Sequence, residues 1–207
     1  MQEATLTCPH CQHAGKHELH PFLDLNKHPK QKLAILTDSL FTVNCPSCAK
    51  QFTVLHELLV VDEKQHIGLL LAPQSEVREL DGDGIGRQGL QSYTLRLVST
   101  AAGLKEKILL LDSNLDDRTI ELCKLYLTMY LQKPDAQLYF AEYQTQTDKL
   151  LFSVLDGNGA LEGSIECEDE LYEQLLQTAQ QFPLKPGFFT AVDQRWAYEH
   201  IRNSADQ

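Results

Sequence analysis

Two short cysteine hooks, Cys8-Pro9-His10-Cys11 and Cys45-Pro46-Ser47-Cys48, restrict this chain more than any other feature. Each is a C-x-x-C turn that offers two sulfurs from one knuckle. Two such turns face to face place four sulfurs at the corners of a tetrahedron. That is a closed structural zinc site with no open position for chemistry. The 33 residues between Cys11 and Cys45 exceed the usual ribbon spacing, so that stretch must fold back on itself. Proline inside each hook presets φ for a tight turn. A redox dithiol would need its first cysteine at a helix start after a strand, and neither hook has that frame. Iron in a rubredoxin-like site uses the same four sulfurs. Such iron belongs more often to small redox-dedicated domains, which favours zinc.

Four histidines, His10, His13, His17 and His20, crowd the first hook. Exchange of cysteine for histidine is chemically easy, so His10 and His13 are rival ligands. Four cysteines already complete the shell, and the histidines read as solvated surface residues. The spacing of His17 and His20 fits neither one strand face nor one helix face, which argues against a second metal there.

The bulk properties narrow the class. A chain of 207 residues with 43% apolar content can build one large domain or two small ones. No apolar run approaches the roughly 20 residues that cross a bilayer, so no membrane contact is expected. Met1-Gln2-Glu3-Ala4-Thr5 lacks the basic and apolar stretches of a secretory signal. Cysteine pairs in such a chain read as metal ligands in the cytoplasm, not as a disulfide framework. A formal charge of −11 argues against strong nucleic-acid binding, which rests on clustered Lys and Arg. The charge is uneven: residues 1–75 carry 7 acids and 6 bases, residues 76–207 carry 22 and 12. The first third is therefore the only plausible place for a nucleic-acid contact.

Periodicity organises the rest. Strand patterns occur at Thr5–Thr7, His17–Leu25, Leu40–Val43, Gln51–Val61 and His66–Ala72, with a helix opened by Pro29 at its first turn. Gln74 to Gly89 is acidic and then glycine-rich, the composition of a flexible loop. A strand follows at Tyr93–Val98 and a helix at Ala101–Leu111. A second helix runs from Asp116-Asp117 to about Gln132, with Ile120, Leu122, Cys123, Tyr126, Leu127 and Tyr130 as a broad apolar face. Gln137–Tyr143, Lys149–Leu155 and Ala160–Ile165 form a meander, turned by Asp156-Gly157-Asn158-Gly159. Glu168–Gln181 is an amphipathic helix, and Phe188–Ile201 closes the chain around Trp196.

Other chemistry-bearing residues have plainer explanations. Cys123 and Cys167 read as small core hydrophobes. Gly84-Ile85-Gly86-Arg87-Gln88-Gly89 matches G-x-G-x-x-G, but a dinucleotide site needs a helix after it, and here a strand follows. Asp81 and Asp83 resemble a calcium loop without its twelfth-position glutamate. Asp112, Asp116 and Asp117 could serve acid–base work or hold a cation, yet helix capping accounts for them.

The hooks and their surroundings resemble a bacterial family named for this motif, the CpXC domain. The matching segments are Thr7-Cys8-Pro9-His10-Cys11, the run Phe41–Phe52 and the strand pair ending at Leu71-Ala72-Pro73. Leu95–Val98, Leu104–Ile108 and Leu115–Glu121 are similar to the downstream part of such proteins. The resemblance implies the four-cysteine zinc site and the fold around it, and no established activity. Zinc knuckles of this kind commonly carry glycine after the second cysteine. Here Gln12 and Ala49 stand there, each costing about 1 kcal/mol if φ is positive.

The expected fold class is α+β. A β-rich, zinc-ribbon-like module over residues 1–75 precedes a flexible linker over 76–89. An acidic α+β domain with an antiparallel meander and helices follows over 90–207. The leading functional reading is a non-catalytic binding or scaffolding protein. Cys8, Cys11, Cys45 and Cys48 hold a structural Zn²⁺, and the partner is another protein. One alternative is a nucleic-acid-associated factor using the N-terminal module. The other is a hydrolase or transferase with its site in the C-terminal domain. No catalytic residue and no organic cofactor is assigned, and an enzyme is the less favoured reading.

Overall fold

The apolar runs Leu58–Val61, Leu69–Leu71 and Leu95–Val98 (the last interrupted by Arg96) are too continuous to leave one strand face wet. They form the middle of a six-stranded sheet and are buried. The structure, a computed structural model, describes residues 2–73, 75–85 and 89–205. Its elements in chain order are β1 (Gln2–Thr7), β2 (Ala14–Leu19), β3 (Phe22–Asp24), α1 (Pro29–Leu36), β4 (Thr42–Asn44), β5 (Gln51–Thr53), β6 (Leu58–Asp62), β7 (Ile67–Leu71), β8 (Glu79–Asp81) and β9 (Thr94–Val98). Then come α2 (Ala101–Asp112), α3 (Asp117–Leu131), β10 (Gln137–Gln144), β11 (Lys149–Leu155), β12 (Leu161–Glu168), α4 (Asp169–Gln180), β13 (Phe188–Thr190) and α5 (Gln194–Ala205). The mixed α+β class expected from the sequence is the class observed.

The chain divides into two compact units: Met1–Lys105 with Pro186–Thr190, and Glu106–Lys185 with Ala191–Gln207. In the first unit the sheet order is β3-β6-β7-β9-β13-β8. β6 and β7 form an antiparallel pair, while β3 runs parallel to β6 and β9 parallel to β7. The bare Gly68 of β7 leaves room for the Leu95 side chain of β9. A Cβ there would lie 2.7 Å from Leu95 Cδ2. Two separate hairpins, β1-β2 and β4-β5, carry the hooks at their turns.

The compact division falls between Lys105 and Glu106, and the stretch 76–89 lies inside the first unit. The reason is the parallel pairing of Ile67–Leu71 with Thr94–Val98, which draws the strand after that stretch into the first sheet. Part of the stretch is itself built into the sheet, since β8 pairs with β13. The Gly82 N–H donates to the Gly187 carbonyl at 2.8 Å, and a Cβ on Gly82 would lie 2.6 Å from that oxygen. Gly86, Arg87 and Gln88 of the G-x-G-x-x-G stretch, like Gln74, are outside the described residues.

In the second unit β10, β11 and β12 make the antiparallel meander. The Asp156 carboxylate accepts from the Asn158 and Ala160 amides at its turn, and Gly159 supplies φ 81°. α3 is capped by Asp116, which accepts from the Arg118 and Thr119 amides. Phe140, Phe152, Leu138, Leu150, Ile120 and Leu127 form the main core. Trp196 sits in a smaller cluster with Leu122, Ala179 and Val192.

Candidate metal centre

Each hook is the turn of its own hairpin, and the two turns are built alike. The Cys8 amide donates to the His13 carbonyl and the Gln12 amide to the Cys8 carbonyl, both at 2.9 Å. In the second hook the Cys45 amide donates to Lys50 and the Ala49 amide to Cys45, again at 2.9 Å. Closing the turn this way needs a left-handed residue after the second cysteine. Gln12 has φ 61° and Ala49 φ 58°. Both positions commonly held by glycine are therefore strained, as anticipated.

The two turns bring all four sulfurs within 4.8 Å of one another. Cys8 Sγ lies 3.8 Å from Cys48 Sγ, and Cys11 Sγ lies 3.6 Å from Cys45 Sγ. A tetrahedral zinc with bonds of about 2.3 Å requires sulfur–sulfur edges of about 3.8 Å, so the donor set fits the ion. The first cysteine of each hook is buried, and Cys11 is exposed at the rim. Among the described residues the group consists of the four cysteines alone. His10 instead has its Nε2 3.4 Å from the Gln51 carbonyl, while its amide donates to Cys8 Sγ at 3.4 Å.

Hydrogen bonds and burial set the acidities of Cys45 and Cys48 apart. The Cys48 and Ser47 amides, with the Cys11 and Cys8 thiols, outweigh burial and bring Cys45 down to about 6. The Lys50 amide favours the Cys48 thiolate, but burial and the three other sulfurs push Cys48 up to about 11. Four thiolates can coexist here only around a cation.

The remaining candidates are absorbed by structure. Asp116 pairs with Arg118 at 2.6 Å besides capping α3. Asp117 is buried against Lys107 at 2.8 Å. Cys123 and Cys167 are buried in the main core of the second unit, and each thiol's acidity is shifted chiefly by the other. His200 stacks near Phe182 and Trp196, and its Nδ1 lies 2.8 Å from the Trp196 carbonyl.

Sequence periodicity missed one cluster. Glu106 and Lys107 of α2 and Asp117, Glu121 and Lys124 of α3 are all buried. Lys124 Nζ reaches Glu106 at 2.7 Å and Glu121 at 2.9 Å, and Lys107 Nζ reaches the Val192 carbonyl at 2.7 Å. The expected apolar face of α3 is corrected accordingly. Tyr126 and Tyr130 are 51% and 72% exposed, while Glu121 and Lys124 are 1% and 3% exposed. The helix turns its charges inward because α2 presents complementary ones. The i, i+3 pair Glu121/Lys124 facing Glu106-Lys107 was the available signal.

Two matched cysteine turns around one four-sulfur group form a knuckle-type arrangement compatible with a metal site. Residues 6–124 match the CpXC protein family, more than half of the chain, and the chain belongs to that family. The match takes in both hooks and continues through β9 and α2 to Lys124. No curated protein and no solved structure matches it. Among the described residues no helix is long and apolar enough to cross a membrane.

Proposed function

We propose that the protein is a non-catalytic binding or scaffolding protein whose first unit is stapled, in a zinc-ribbon-like manner, by one Zn²⁺ on Cys8, Cys11, Cys45 and Cys48. The observation that carries this reading is the convergence of the four sulfurs from two matched turns. The ion supplies charge balance and a cross-link between residues far apart in sequence, and four thiolates leave it no open position. Its partner is another protein. Supporting this, α3 exposes Tyr126, Met129 and Tyr130 at i, i+3, i+4 spacing, and aromatic residues and methionine are enriched where proteins meet. The acidic charge works against phosphate backbones. Thiols kept free for metal suit the reducing cytoplasm.

Metal analysis of purified protein should give one zinc per chain. A zinc-free or iron-loaded protein with the same fold defeats the zinc assignment. For the partner, capture from the native host is compared between the wild type and the Tyr126→Ser/Tyr130→Ser variant. A protein retained by the first and lost from the second supports the reading. DNA or RNA bound at nanomolar affinity in about 0.15 M salt overturns it, since non-specific binding is expected no tighter than about 10⁻⁴–10⁻⁶ M.

A further inference from the structure

The buried charges between α2 and α3 do not balance. Three carboxylates, Glu106, Asp117 and Glu121, pair with two ammonium groups, Lys107 and Lys124, and Asp117 also feels the Arg118 guanidinium. The three acids and two lysines are largely shielded from water, so no solvent screens the surplus negative charge, and an unpaired charge in such a place is costly.

The pairing shows where the surplus falls. Lys107 is committed to Asp117 at 2.8 Å and to the Val192 carbonyl, and lies 3.5 Å from Glu121. Lys124 is committed to Glu106 at 2.7 Å. Glu106 also accepts from the Phe140 amide. Glu121 accepts from Lys124 through Oε1 at 2.9 Å, but its Oε2 is buried and has no hydrogen-bond partner. Of the three acids, Glu121 is the one whose negative charge is least supported.

We propose that Glu121 carries a proton in the folded protein in mildly acidic solution and gives it up around neutrality, and that losing it loosens the α2–α3 charge layer, making the second unit pH-sensitive. Every charged or titratable group facing Glu121 bears on this. Glu106 and Lys107 face it from α2, and Asp117 and Lys124 from its own helix. The Tyr139 ring of β10 lies 5.6 Å from the Lys124 ammonium. The Cys123 thiol is buried nearby on α3 and is uncharged in this range. Burial pushes Glu121 up, the two lysines pull it down and Glu106 pushes it up again, leaving it at about 7. Burial works against charged Lys124, but Glu106 and Glu121 outweigh it and hold its pKa above the ordinary value. Lys124 therefore stays charged, and the adjustable proton is on the acid.

The sign follows from linkage. A carboxyl whose folded pKa is raised stabilises the fold fully below its unfolded value, and the advantage is lost as pH rises through the folded value. The window runs from the ordinary 4.5 to about 7. Glu121→Gln keeps the shape of the protonated acid and cannot ionise. Denaturant unfolding of the full chain is followed through Trp196, the single tryptophan, which lies in the second unit. The wild type's folding constant relative to Glu121→Gln should fall about tenfold per pH unit across that window and then level off. The N-terminal metal site is common to both proteins and cancels in the ratio. Independently of the variant, carbon-13 NMR should show the wild-type Glu121 carboxyl titrating near neutrality. A ratio constant from pH 5 to pH 8, or a carboxyl titrating in the ordinary glutamate range, overturns the proposal.

Discussion

The two units each gather like-charged groups in a confined space and neutralise them by opposite routes. The first brings together four cysteines whose thiolates would repel one another, in a group that could hold a metal ion. The second brings together three carboxylates and supplies two lysines from the same helices. On the proposed reading one arrangement depends on an ion from outside, the other on residues the chain carries with it. The first should therefore respond to metal supply and the second to pH and to substitution. Each response should stay largely within its unit.

The largest effect should come from breaking the first arrangement. Cys45→Ser removes a buried cysteine, a proposed ligand, at the start of one hook. Binding energy at such a site is folding energy, so the two hairpins should lose several kcal/mol. Backbone NMR signals of β1, β2, β4 and β5 should collapse, and chelation should have the same effect. Trp196 emission reports the second unit and should stay native. Simultaneous loss of both signals would erase the contrast between the units.

The second arrangement is broken by Lys124→Met, which keeps the stem and removes the charge. Glu106 and Glu121 then face each other without their shared ammonium. Removing one partner of a buried pair costs about 3–5 kcal/mol. Trp196-monitored unfolding should show that loss, while zinc content stays at one per chain. A loss below about 1 kcal/mol would mean that water reaches the layer.

The contrast also explains what could be read in advance. The convergence of the two hooks was legible because each C-x-x-C turn fixes its residue types at local spacing. The meander and the bounds of α1, α3 and α4 were legible because apolar periodicity and turn residues are local. The parallel pairing of β7 with β9 was not, since nothing in Thr94–Val98 names its neighbour. The closing run Phe188–Ile201 read as one piece, yet its strand pairs in the first unit and its helix packs in the second. The buried charges failed for a further reason. Sequence reading places charged residues outside, and only the meeting of α2 with α3 reverses that for Glu121 and Lys124 while exposing Tyr126 and Tyr130.

The smallest effect tests how finely the first unit is tuned to its ion. Ala49 sits at φ 58° and Gln12 at φ 61°, a region where a Cβ crowds the following carbonyl. Glycine has no such penalty but loses more freedom on folding. Ala49→Gly should therefore gain no more than about 1 kcal/mol. The gain should appear as tighter zinc binding in a competition with a chromogenic chelator. It should vanish in the metal-free protein, whose hook is no longer held in that turn. Gln132 offers the matching test in the second unit, closing α3 at φ 54°. Gln132→Gly should raise stability by a similar amount, through Trp196 and with or without metal. If Ala49→Gly stabilises the metal-free protein as much as the zinc-bound one, the hook is set by the hairpin rather than the ion. The first unit would then resemble the second in carrying its own organisation.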